Sequence, residues 1–269
     1  MIASIQSVTK STDQKHIFMD VPYNFLTFHE VVKRIDAERG SGHFRYVVTP
    51  NVDHVVRMRD SVKLRQIYKG SWLSLCDSKP IYWIARLLGV RMTLVTGSDL
   101  TSHLFHERIR PHDRVVLIAP YAEVGRRMAE RFPKVEFHCH VPPDGLINKP
   151  DAMQACVAFA AQHRPDFIFI AVGSPQSELL AEDISRHPEA TGICICCGAS
   201  LEFITDLQKR APPIMRRLAL EWLHRLLSNP RRLWRRYVYA VPPLAWLCVK
   251  EVVKRSKLMG SVSTPGEAS

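Results

Sequence analysis

"PDFIFIAVGSPQSE", residues 165–178, holds the repeating unit of this fold. From Phe167 to Val172 every residue is apolar, and Phe, Ile and Val dominate, as a strand covered on both faces requires. A turn of small residues follows, Gly173-Ser174-Pro175, and a helical pattern begins near Gln176. The same unit recurs along the chain. Strands are expected at 44–49, 72–76, 92–96, 114–119, 135–139, 166–172 and 192–197, with helices near 53–69, 78–88, 99–109, 121–132, 150–163 and 176–186. Strictly alternating strands and helices predict an α/β fold, a doubly wound and mostly parallel sheet of Rossmann-like build.

In such sheets ligands bind beyond the carboxyl ends of the strands. The strand exits therefore supply the candidate site: Thr49-Pro50-Asn51, Asp77, Gly97-Ser98, and Gly173-Ser174 with Gln176. Asp77 offers a carboxylate for proton transfer; the ordinary alternative is a helix N-cap, which aspartate serves well. Thr49 and Asn51 could equally make local turn hydrogen bonds. "VTGSDL" (95–100) and "VGSPQSE" (172–178) have the form of strand-turn-helix phosphate cradles. The G-x-G-x-x-G and G-x-x-x-x-G-K-[ST] fingerprints are missing, as is an Asp-x-Asp pair for a divalent ion, so no cofactor and no metal are expected. His138 and His140 are expected on a surface loop. Seven cysteines without framework spacing, three of them inside "GICICCG" (192–198), read as buried reduced thiols and place the chain in the cytoplasm.

Charge divides the chain. The formal total is +11, but thirteen Lys/Arg against three acids between Thr205 and Lys257 account for +10 of it. "KRAPPIMRRLALEWLHRLLSNPRRLWRRYV" (209–238) is both basic and apolar, which suits a lipid phosphate surface better than a core or a solvated tail. Its Asn229-Pro230 pair predicts one helix ending near Leu227 and another starting at the proline. The organisation expected is a catalytic body (1–204), a basic amphipathic helical appendage (205–257) and a polar tail (258–269). The longest uncharged run here, "YVYAVPPLAWLCV", has 13 residues and is too short to span a bilayer, so membrane contact is expected to be peripheral, at the inner face.

In order, these stretches resemble the WecG/TagA/CpsF family of bacterial glycosyltransferases over roughly residues 20–240. "TPNVDHVVRMRDS" (49–61), "DSKPIYWIARLLG" (77–89), "VTGSDL", "PDFIFIAVGSPQSE" and above all "CGASLEFITDLQKRAPPIMRRLALEWLHRLLSNPRRLWRRY" (197–237) carry the resemblance. It implies an inverting transferase that moves a sugar, typically N-acetylmannosamine, from a UDP donor to a GlcNAc-like sugar on a polyprenyl pyrophosphate. Asp77 falls on the family's proposed general base, and Thr49 and Asn51 on a T-x-N turn lining the site. Arg225, Arg232 and Arg235 fall in the appendage, where family arginines close over the donor and engage pyrophosphate. Three positions depart from the pattern: Ser78 where many members have glycine, Leu94 where an arginine commonly precedes V-T-G, and Ser177 where many carry glutamine. The arginine and glutamine lost at Leu94 and Ser177 imply either a changed donor, such as UDP-glucose or a UDP-uronic acid, or altered positioning and weakened activity; the intact Asp77 and arginine-rich appendage favour the changed donor. A basic nucleic-acid-binding protein is the rival from another class, but large apolar residues interleave the charges and the body has site-like turns, so no nucleic acid is expected.

Overall fold

The computed structural model describes residues 14–262, apart from 213, 216, 217, 219 and 229 and several side chains between 222 and 240 and from 257 onward. The main sheet holds β3 (Phe44–Val48), β4 (Leu73–Ser74), β5 (Arg114–Ile118), β6 (Glu136–His140), β7 (Phe167–Ile170) and β8 (Gly192–Cys196), in the order β4-β3-β8-β7-β5-β6. Every pairing in it is parallel. The doubly wound α/β arrangement expected from the alternation is thus the one observed.

The pleat sends successive side chains to opposite cores. Ile168 and Ile170 of β7 and Cys194 and Cys196 of β8 enter one cluster, while Phe167, Phe169, Ile193 and Ile195 enter the other. The first cluster is closed by α2 (Val52–Asp60), α3 (Val62–Gly70), α4 (Lys79–Leu87), α7 (Pro150–Gln162) and α8 (Gln176–Ser185). The second is closed by α1 (Phe28–Glu38), α5 (Gly97–His103), α6 (Ala122–Arg131) and α9 (Ser200–Ile204). A π turn, Leu104–Arg108, extends α5.

Several elements differ from expectation. Residues 92–96 are not a strand. They run past the outermost strand β4 and make one ladder-like bond, Val95 N–H to Cys76 O at 3.0 Å, with Met92 and Val95 buried in opposite cores. The single helix expected at 53–69 is two, because Ser61 ends α2 and caps α3, its hydroxyl accepting from Leu64 N–H. His138 and His140 lie on strand β6 rather than on a loop. His138 stacks on His163 with ring centroids 3.8 Å apart and meets Glu136 Oε1 at 2.9 Å.

The sequence reading did not anticipate α1 or a small hairpin, β1 (His16–Phe18) with β2 (Val21–Tyr23). The hairpin turn, Met19-Asp20, has positive φ at both residues (50° and 59°), the twist a two-residue hairpin needs but a conformation that costs a non-glycine residue energy. The far end of the chain holds that turn in place. Beyond α10 (Glu221–Ser228), the long α11 (Pro230–Val262) docks on the body through Leu247, which is 1% exposed. Glu251 Oε2 accepts from Met19 N–H, Lys250 pairs with Asp20 at 2.5 Å, and the Arg255 guanidinium lies over the Phe18 ring. The distal part of the basic segment is therefore packed against the body. Helix breaks fall where the Asn229-Pro230 pair puts them, though Asn229 itself lies outside the described residues.

Candidate active site

Strands β3 and β8 are neighbours, yet the chain leaves β3 for α2 on one face and β8 for α9 on the other. Divergence of two adjacent strand exits opens a crevice at their carboxyl ends. Thr49 stands at the end of β3, 5% exposed, and its hydroxyl donates to Cys196 O at 3.4 Å, tying the two exits together. Asp77 reaches the same place from β4, anchored by its N–H to Pro50 O at 3.1 Å.

The ordinary role for Asp77, capping the following helix, belongs to its neighbour. Ser78 is the N-cap of α4, its hydroxyl accepting from Ile81 N–H at 3.4 Å. The Asp77 carboxylate instead lies beside the start of α5: a β-carbon placed on Gly97 would sit 3.5 Å from Asp77 Oδ2 and 2.9 Å from Thr49 Oγ1. Glycine is needed there because the space is already taken. Ser98 continues this wall, with Ser200 Oγ of α9 at 3.3 Å from its own hydroxyl oxygen. Thr49 and Asp77, from the exits of β3 and β4, therefore come together with Gly97 and Ser98 from the segment that runs past β4, and Ser200 after β8 is added.

Asn51 follows its ordinary reading. It caps α2, its side chain accepting from Asp53 N–H at 3.0 Å. The capping box also uses His54, whose Nδ1 accepts from Asn51 N–H, so Nε2 carries the ring hydrogen. That Nε2 faces Glu178 Oε1 at 4.0 Å, and Tyr68 OH donates to the same oxygen at 3.1 Å. Glu178 is 2% exposed, and its second oxygen is buried with no hydrogen-bond partner among the described residues. Burial, with the Glu178 charge beside it, pushes the Tyr68 hydroxyl well above its ordinary range.

Gly173, Ser174 and Gln176 form a second group at the exit of β7. Gly173 adopts φ of 81°, and the Ser174–Pro175 peptide is cis. The Gln176 amide donates to Val172 O, and its carbonyl oxygen accepts from Ile147 N–H, so this side chain pins the loop after β6. Cys196 Sγ contacts Ser177 O at 3.5 Å, which joins this turn to the Thr49 side through β8. Arg225 lies on α10 and Arg232 and Arg235 on α11, but their side chains are outside the described residues.

Two participants escaped the sequence reading. Ser200 ends the strand-exit turn "CGAS" and was visible as a site-like turn but not as a partner of Ser98. Arg210 reaches back to pair with Asp99 at 2.7 Å, fixing the start of the basic segment to the first turn of α5. Nothing local signals that contact, which spans 111 residues. Among the described residues no group of three His, Cys, Asp or Glu is arranged to hold a metal ion, and no helix is long and apolar enough to cross a membrane. The seven cysteines are free thiols.

A carboxylate among hydroxyls and a close-packed glycine stand here at a crevice where neighbouring strands of a parallel sheet diverge, the place where such sheets bind their ligands. The chain belongs to the WecG/TagA/CpsF family of glycosyl transferases, whose family model matches residues 16–258. It is similar to a Bacillus spizizenii protein named N-acetylglucosaminyldiphosphoundecaprenol N-acetyl-beta-D-mannosaminyltransferase, 25% identical over 224 residues that cover 81% of this chain and 83% of that relative.

Proposed function

We propose that this protein transfers N-acetylmannosamine from a UDP donor to the GlcNAc of a polyprenyl-pyrophosphate-linked acceptor, with inversion at the anomeric carbon and without a metal ion. The observation that carries the reading is the convergence of Asp77, Thr49 and Gly97 at the crevice of a family glycosyl transferase. The relative's name supports the sugar and the acceptor.

Asp77 accepts the proton of the acceptor hydroxyl as its oxygen attacks the anomeric carbon from the face opposite the nucleotide. The bond to UDP breaks with its electrons on the departing phosphate, so negative charge grows there. Main-chain N–H groups at the start of α8 and the arginines of the basic segment are the groups we assign to stabilise that charge. Thr49, Ser98 and Ser200 offer hydroxyls to the sugar. The enzyme works at the inner face of the membrane, held by its basic appendage.

A second donor is favoured by two positions. Leu94 packs against the core, so it presents no charge to a donor, and the Ser177 hydroxyl is buried and lacks a hydrogen-bond partner among the described residues. UDP-glucose or a UDP-uronic acid is the alternative within the same chemistry. A panel of UDP-sugars tested with a short-chain polyprenyl-pyrophosphate-GlcNAc acceptor in EDTA separates the two. Transfer from UDP-N-acetylmannosamine alone supports the first reading, transfer from another donor the second, and failure of every donor removes both.

A further inference from the structure

The backbone of Asp77 is held by the Thr49-Pro50-Asn51 turn, since Asp77 N–H donates to Pro50 O at 3.1 Å. That turn is fixed by the start of α2. Asn51 N–H donates to His54 Nδ1 at 3.3 Å, and the Asn51 side chain accepts from Asp53 N–H. The first bond requires Nδ1 without hydrogen, because a ring nitrogen that carries one cannot accept. Only the neutral ring with its hydrogen on Nε2 therefore serves the turn.

What each ring nitrogen faces decides which of them carries the hydrogen. His54 Nε2 faces Glu178 Oε1 at 4.0 Å, with the two side chains 13% and 3% exposed. That distance is too long for a hydrogen bond. Away from water, however, a carboxylate oxygen there still favours an N–H over a bare lone pair. Glu178 stands in the first turn of α8, directly after the Gly173-Ser174-Pro175 turn, and Cys196 Sγ contacts the carbonyl of its neighbour Ser177. A rigid element thus carries the carboxylate.

Stability alone does not explain this residue. Tyr68 OH donates to Oε1 at 3.1 Å, while Oε2 is buried with no hydrogen-bond partner among the described residues. Tyr68, Leu180 and Ala181 of the first core cluster lie on the same two helices. A carboxylate sunk there with one oxygen unpaired costs stability, and a neutral side chain of the same shape would not.

We infer that Glu178 is a positioning residue for Asp77: it holds His54 in the Nε2–H tautomer, which keeps the Asn51 bond and so the turn that carries Asp77 N–H. The inference rests on the assignment of Asp77 as the base. It also links the donor-side turn before α8 to the acceptor-side carboxylate.

The test uses the full-length protein, UDP-N-acetylmannosamine and a polyprenyl-pyrophosphate-GlcNAc acceptor. Glu178→Gln keeps the shape and an acceptor for Tyr68 but removes the negative charge. Its kcat should fall by about tenfold or more, with UDP affinity nearly unchanged and a thermal midpoint no lower than wild type. Nitrogen NMR of the histidine rings should show the His54 hydrogen on Nε2 in wild type and divided between the two nitrogens in Glu178→Gln. His54→Ala should lose activity to a similar degree, and adding Glu178→Gln to it should lose little more. An unchanged His54 tautomer in Glu178→Gln overturns the inference whatever the rates. So do wild-type kcat in that variant, and additive losses in His54→Ala/Glu178→Gln. A lower thermal midpoint with kcat and UDP affinity falling together assigns Glu178 to the fold alone and also overturns it. Wild-type protein that transfers no sugar strikes the transferase reading, and the His54 tautomer in Glu178→Gln then decides the link on its own.

Discussion

Gly97 and Thr49 are packed so closely that a β-carbon on the glycine would lie 2.9 Å from the threonine hydroxyl oxygen. That contact fixes the start of α5 against the end of β3, with the Asp77 carboxylate alongside. Gly97→Ala should therefore push Thr49 or α5 aside, costing about 1 to 3 kcal/mol of stability. We expect a fall in kcat/KM of about tenfold or more, since small displacements of positioning groups are costly to catalysis. Thr49→Ala removes the obstructing atom, so Gly97→Ala/Thr49→Ala should be more stable than additivity predicts. Urea denaturation of the two single variants and the double variant measures that coupling.

The Tyr68 hydroxyl donates to the buried Glu178 carboxylate at 3.1 Å. Removing that donor leaves Glu178 in the core without its hydrogen bond. Tyr68→Phe should destabilise the protein by about 1 to 3 kcal/mol. Chemical denaturation checks it, and a variant as stable as wild type would show that the bond contributes nothing.

The docking of α11 rests on Leu247, buried against the first core cluster. Leu247→Ala should cost about 2 to 5 kcal/mol. It should also raise hydrogen exchange at the Met19-Asp20 turn, because Glu251 and Lys250 sit on the same stretch of helix. Exchange confined to α11 would separate the turn from the helix.

Alkaline pH should destabilise the fold. Burial raises the Cys76 thiol from 9.0 to about 12, and raises Cys197 and Tyr68 above their ordinary values. In the unfolded chain these groups release protons near pH 9 to 10, while in the fold they keep them. The native state thus binds more protons in that window, and stability falls as pH rises. Lys15 acts in the opposite sense, since burial lowers it to about 8, but it is one partly exposed group against several buried ones. The thermal midpoint should drop steadily from pH 9 to 11; a rise over that range would contradict the burial assigned to these groups.

The central strands were legible because their cause is local. A strand covered on both faces must be continuously apolar, and "FIFI" and "ICIC" are. The segment at 92–96 has the same composition but no partner on its outer side, so composition could not distinguish it from a strand. Helix α1 carries a readable signal: Thr27 and Glu30 form a capping box, followed by apolar residues at Val31, Val32 and Ile35. Its hairpin neighbour does not, since strands of three residues leave too short a pattern. In the site, Asp77 and Thr49 could be found from their places at strand exits. The Ser78 cap is local, three residues from Ile81, but that Gly97 is squeezed by Thr49 and that Arg210 reaches Asp99 depend on distances across the fold that no local pattern encodes.

The most direct test is a transfer assay of wild type and Asp77→Asn side by side, with UDP-N-acetylmannosamine, a polyprenyl-pyrophosphate-GlcNAc acceptor and EDTA, alongside UDP binding by calorimetry. The amide keeps the shape of the carboxylate but cannot take a proton. The account predicts that kcat falls by about 10² to 10⁴ while UDP affinity is nearly unchanged. Wild-type turnover in Asp77→Asn would contradict it and move the base elsewhere in the crevice.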